Sequence, residues 1–285
     1  MDRSPRPFLR APLALLLATA AVAWGAAACG GEATAGRPVT YRVALEAAAA
    51  PGEDSALGFT TDTGWRVALS EAQLVLAPLY VFEKRSPLLG ASAARGPPRH
   101  WLHALGDWVL PAAHAHEGDL FLAGGRVMGE WDEQVLFTLG AAGAAGRREL
   151  GLSPGIAGPA RSFSVLLQPP ARRLGAEAAA LEGASLRVRG VASRGGQRVA
   201  FRARVAFPPP QELQRVDLVP TELVLEEGGT LVLSVHPHAW FTGARFEAVA
   251  PPEDVEVELR EESQPHRALR VNARRHTAYS ARFEP

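Results

Sequence analysis

His114, His116, Glu117 and Asp119 place two imidazoles and two carboxylates within one short run, His114-Ala115-His116-Glu117-Gly118-Asp119. In an extended chain, positions i and i+2 project to the same side about 7 Å apart, so both rings can converge on one ion. Nitrogen and oxygen donors of this kind suit Zn(II) or Cu(II). Beyond Cys29 the chain has no thiolate, and Met128 is its only thioether, which disfavours a soft Cu(I) site. His103, three residues after His100, can add a ligand from a nearby helical turn. His236 and His238 repeat the His-x-His spacing around Pro237 and form a second candidate. Neutral imidazole is the ligating form, so uptake should fall below about pH 6. The bland alternative stays open: eight histidines produce such spacings by chance, and loop histidines are commonly just solvated.

Other patterns carry less chemistry. Gly151-Leu152-Ser153-Pro154-Gly155 fits the G-x-S-x-G pattern. That motif needs a strand, a sharp elbow and a helix that presents the serine. Pro154 and the following GIAGPA argue against the helix, so the stretch reads as a turn between strands. LGAAGAAG at 139–146 lacks the GxGxxG spacing and reads as a small-residue loop. Arg194-Gly195-Gly196 reads as a hairpin turn. Trp65, Trp101, Trp108, Trp131 and Trp240 can form a sugar-binding face or pack in a core and its rim. No catalytic constellation is supported, and the expectation is a protein that is not an enzyme.

Strands must position these groups. Val199, Phe201, Ala203, Val205 and Phe207 alternate with arginines and alanines, a period of two. Leu186 and Val188 do the same, which predicts a hairpin, with Gly190 as a candidate bulge. Leu223 and Leu225, then Glu227-Gly228-Gly229, then Leu231, Leu233 and Val235 predict a second hairpin. Further strands are predicted around Tyr41, Phe163, Val257 and Tyr279. Gln73 to Phe82 is apolar throughout and reads as one central strand buried on both faces. The fold class is therefore all-β: an antiparallel β-sandwich, immunoglobulin-like or related. It carries one irregular or partly helical insertion from Glu83 to Glu117, with Arg99 to Leu110 as its helix. Pro208-Pro209-Pro210 marks a crossover, or a sub-boundary near 208–210 if there are two domains.

The chain also carries an address. Arg3, Arg6 and Arg10 precede the apolar run LALLLATAAVAW, which ends in Gly25, Ala26, Ala27 and Ala28 before Cys29. Charged start, short apolar core and small-residue exit are the marks of a cleaved export signal. The run is shorter than the ~20 apolar residues a membrane span needs. Ala26-Ala27-Ala28-Cys29 resembles the lipobox of bacterial lipoproteins, with Ala26 where leucine is usual; Ala26-x-Ala28 also fits ordinary signal peptidase. The resemblance covers only the leader. It implies lipidation of Cys29 and a place in the bacterial cell envelope, at the outer membrane facing the periplasm or the cell surface. The expected organisation is a signal peptide at 1–28, a flexible tether at 29–38 and a β-sandwich at 39–285. Cys29 is the only cysteine, so no intramolecular disulfide can form.

Thirty basic and thirty acidic side chains cancel, which leaves no global field to recruit nucleic acid. Two functions remain. One is an envelope lipoprotein whose sandwich binds Zn or Cu through histidines. The other is an adhesive or scaffold module for an envelope protein or a glycan.

Overall fold

The structure is a computed structural model and describes residues 36–85, 125–139, 147–249 and 255–285. In chain order its strands are β1 (Pro38–Ala47), β2 (Gly58–Thr60), β3 (Arg66–Leu76), β4 (Leu79–Phe82), β5 (Val127–Trp131), β6 (Val135–Leu139) and β7 (Arg148–Ile156). They continue with β8 (Gly158–Leu166), β9 (Leu186–Arg194), β10 (Gln197–Val205), β11 (Arg215–Leu225), β12 (Thr230–Val235), β13 (Val257–Glu258) and β14 (Tyr279–Glu284). Among the described residues the α-helices are α1 (Gly175–Ala179), α2 (Pro237–Trp240) and α3 (Gln264–Asn272), all short.

The period-two pattern works as predicted where it is cleanest. On β10, Val199, Phe201, Ala203 and Val205 are buried while Arg202 and Arg204 face solvent. β10 pairs antiparallel with β9, and only Gly195 and Gly196 separate them. Both glycines have positive φ, 56° and 85°, as a two-residue type I′ turn demands.

One sheet has eight strands in the order β11-β8-β4-β5-β7-β1-β12-β14; the other runs β13-β10-β9-β3-β2, with β6 also on β3. All pairings are antiparallel except β1 with β12 and β10 with β13. The two sheets share one core: Val43, Leu45, Leu231 and Leu233 come from the first, Val67, Leu74, Val188 and Phe201 from the second. The fold is thus an all-β sandwich with a small helical component. Strands on both sides of Pro208-Pro209-Pro210 enter the same sheet, since β1 lies beside β12.

Four expectations change. The apolar run from Gln73 to Phe82 is two strands, because Pro78 has no N–H to continue a ladder. Ala77 N–H bonds Leu166 O at 2.9 Å there, and the chain passes from the second sheet to the first. The hairpin predicted across Glu227-Gly228-Gly229 does not form. β11 pairs with β8, whereas β12 pairs with β1 and β14. The intervening loop is seated on β1 instead: Gly228 N–H donates to Thr40 O at 2.9 Å, and Thr40 N–H to the Glu227 carboxylate at 2.9 Å. The bulge expected at Gly190 sits on the partner strand, between Leu69 and Glu71 of β3. A Cβ on Gly190 would collide with the Ala68 carbonyl, so the glycine serves close strand approach. Finally, the GLSPG stretch is no turn: it lies inside β7, paired with β1.

The first sheet curls until its end strands meet. Thr221 Oγ1 on β11 donates to Ala281 O on β14 at 3.0 Å, and His276 Nε2 lies 2.6 Å from Asp217 O. α3 buries Pro265, His266, Ala268, Leu269 and Asn272 along one stripe. Asn272 Nδ2 donates to Thr242 O at 2.7 Å, which satisfies a carbonyl just past α2. The insertion beyond Arg85, with its expected helix from Arg99 to Leu110, lies outside the described residues.

Candidate functional site

β12 ends at Val235 and hands the chain to His236, after which Pro237 opens α2. Proline suits a first helical position because its missing N–H is not needed there. The change of direction brings the two imidazoles together: the rings of His236 and His238 lie 5.7 Å apart at 81°. His236 Nε2 is 2.8 Å from Ser280 Oγ on β14, and the His238 ring meets Phe59 edge-on at 6.4 Å. Burial pushes both imidazoles below the ordinary histidine range. Proximity to His238 adds to this at His236, and Glu46 opposes it. Both rings are therefore neutral at pH 7, the form that can ligate a metal. His238 Nδ1 is buried and has no hydrogen-bond partner.

A protein zinc site takes at least three protein donors, and Glu46, the carboxylate whose charge acts on His236, is engaged elsewhere. Glu46 accepts from Arg282 Nη2 at 2.7 Å and from Ser234 Oγ at 2.6 Å. Arg282 holds the Glu46 carboxyl below its usual range, against its burial. Among the described residues, no three His, Cys, Asp or Glu side chains converge so as to hold a metal. His236 and His238 thus supply two donors, one of them already bonded to Ser280. His114, His116, Glu117, Asp119, His103 and His100 lie outside the described residues, and so does Cys29.

Ser153 is 1% exposed, and its hydroxyl donates to Glu130 O across the sheet. A serine inside a paired strand is not presented for attack, so the G-x-S-x-G pattern carries no nucleophile here. Trp65 and Trp240 are fully buried in the core. Trp131 is partly buried, and its indole N–H bonds Glu133 O at 3.1 Å. These three do not form an exposed aromatic face; Trp101 and Trp108 lie outside the described residues.

The polar arrangement that the sequence did not single out is on the outer face of the second sheet. Arg187 pairs with Glu71 at 3.6 Å, and Arg202 with Glu258 at 3.1 Å. Arg204 bonds Glu258 at 2.8 Å and also reaches Glu182 beyond α1. Outward arginines were visible from the alternation on β10, but their partners are distant in sequence. No family model, curated protein or solved structure matches this chain.

Proposed function

We propose that this is a bacterial envelope lipoprotein, anchored through an acylated Cys29, whose β-sandwich is a non-catalytic binding module. The observation that carries the reading is the position of the only cysteine. It closes an export-type leader and precedes, across a run of small residues, the compact unit Pro38–Pro285. Among the described residues no helix is long and apolar enough to cross a membrane. The anchor in this reading is the lipid on Cys29. One acyl chain holds a protein marginally and two or more hold it firmly, which is why acylation at Cys29 would decide the location. Fractionation of wild type and Cys29→Ala tests it: the wild type should sediment with membranes and the variant should not.

A second reading is that the anchored body holds Zn(II) or Cu(II). The donor density at His114, His116, Glu117 and Asp119, with His103 near in sequence, supports it. The pair His236 and His238 supports it less, for want of a third ligand among the described residues. Equilibrium dialysis of the full chain against each metal separates this reading from a metal-free module.

A further inference from the structure

α3 carries positive charge along its outer side. Arg267 and Arg270 are exposed on the helix, and Arg274 and Arg275 follow in the turn after it. Positions 267, 270 and 274 are spaced i, i+3 and i+7, which sets them in one row about 10 Å long. The other side of α3 is spent on the core through Pro265, His266, Ala268, Leu269 and Asn272.

The row has no counter-charge. Arg187, Arg189, Arg202, Arg204 and Arg282 each hold a glutamate. Arg267, Arg270, Arg274 and Arg275 hold none among the described residues. At the N-terminal end of α3, Glu261 and Glu262 offset Arg260 and Arg245, whose backbone N–H donates to Gln264 Oε1 at 2.6 Å. Beyond the C-terminal end, the Asp217 carbonyl lies 2.6 Å from His276 Nε2, but the Asp217 carboxylate is paired with Arg215 at 3.3 Å. Cations at a helix C-terminus complement its dipole, yet that dipole end is worth only about half a charge. Four guanidinium groups exceed it, in a chain whose formal charge is zero.

The row also has a definite place in the fold. β1 begins at Pro38, where the leader joins the body, and ends with Ala47 beside Val235 of β12. α2 follows β12 directly, and Asn272 Nδ2 ties α3 to it through Trp240 O and Thr242 O. A ten-residue strand is about 30 Å long. The arginine row therefore stands at the end of the body away from the entry point at Pro38.

The surroundings narrow the partner. A helix that lies on a bilayer sinks its apolar side into it, and the apolar side of α3 is already buried in the sandwich. Val271 is the only exposed large hydrophobic side chain on α3, too little for the apolar centre of a protein interface. α3 carries no aromatic residue on which the bases of a single-stranded nucleic acid could stack. A flexible linear polyanion needs neither apolar nor aromatic contact. It needs cations in a row, and guanidinium forks match carboxylate and sulfate oxygens two at a time.

We propose that the arginine row of α3 binds an anionic polysaccharide, its guanidinium groups donating to carboxylate or sulfate oxygens of the chain. The inference deepens the reading of the body as a binding module and is independent of the anchor.

The test titrates the full chain, in an uncharged detergent, into fluorescein-labelled polygalacturonate and dextran sulfate and follows anisotropy. Both should bind, and neutral dextran should not. Binding should weaken above about 0.5 M salt, where charges are screened within a few ångströms. Arg267→Gln with Arg270→Gln, both exposed, should weaken it about 10-fold through the loss of two charge-assisted contacts. Arg189→Gln with Arg202→Gln removes the same net charge from the second sheet and should change it little. The proposal is overturned if neither polyanion binds, if neutral dextran binds as well, or if the two double variants behave alike. It is also overturned if duplex DNA or phosphatidylglycerol bicelles displace the labelled glycan at a lower concentration of anionic groups than unlabelled glycan does. Mass spectrometry of Cys29 on the same sample keeps the two readings apart. An acylated chain that binds no anionic glycan overturns the arginine row alone, and glycan binding by an unmodified chain overturns the anchor alone.

Discussion

The Thr221 hydroxyl on β11 donates to the Ala281 carbonyl on β14 at 3.0 Å, where the two ends of the eight-stranded sheet meet. Side chains, not a backbone ladder, join this seam among the described residues. The C-terminal strand thereby lies between β11 and β12, which are consecutive in the chain.

Thr221→Val keeps the shape of the side chain and removes the donor. It should cost about 1 kcal/mol, the usual net worth of one hydrogen bond. Urea denaturation checks this: the midpoint should fall with an unchanged slope. An unchanged midpoint would mean that the seam contributes nothing to closure.

Tyr41 passes directly over Gly155. A Cβ there would come 2.6 Å from the Tyr41 ring and 2.8 Å from Met128 O. Gly155→Ala should therefore destabilise by about 1–3 kcal/mol, the ordinary cost of overpacking. Gly190→Ala should do likewise, because its obstacle is the Ala68 backbone, which cannot swing aside. A Cβ on Gly58 meets only Arg66 Nη2 at 3.7 Å, so Gly58→Ala should stay within about 0.5 kcal/mol. Equal losses at all three positions would refute the close-approach account.

Stability should depend on pH in two stages. Burial lowers the folded pKa of His236 and His238 below the free value of about 6.5. As pH falls through about 6.5 the unfolded chain gains protons that the folded chain refuses, so stability present above that pH is lost below it. A second loss begins below about 4.5, the ordinary Glu value, because Arg282 holds Glu46 below it and Arg204 does the same to Glu258. Thermal melts between pH 4 and 8 should show both stages, and His236→Asn with His238→Phe should flatten the first. A first stage that persists in the double variant would place its origin elsewhere.

Metal uptake discriminates between the two histidine pairs. His236→Ala with His238→Ala should leave Zn(II) uptake in dialysis unchanged, since that pair has no third ligand among the described residues. His114→Ala with His116→Ala should remove it. The opposite pattern would assign the site to the end of β12.

Strand positions were legible wherever one face is wet. The arginines of β10 and the alternation of Tyr279, Ala281 and Phe283 on β14 located both strands from local pattern alone. Partners were not legible, because pairing is decided by contacts far away in the chain. Leu223 to Val235 has every local mark of a hairpin, yet its glycines bond to Thr40 and Arg42 on β1. α3 was hidden by its polarity: Arg267 and Arg270 mask a stripe that only the fold buries. The same holds for the packing of α3 on β10. His266 looks like an idle histidine in sequence, and its burial against the Arg204 carbonyl comes from packing 62 residues apart.

The most direct test of the account is the mass of the N-terminal peptide from protein extracted out of bacterial membranes. The chain should begin at Cys29 and carry a thioether-linked diacylglyceryl group, with or without an amide-linked acyl chain, and Cys29→Ala should yield a chain that leaves the membrane fraction. An unmodified Cys29 on a soluble wild-type protein would contradict the central claim.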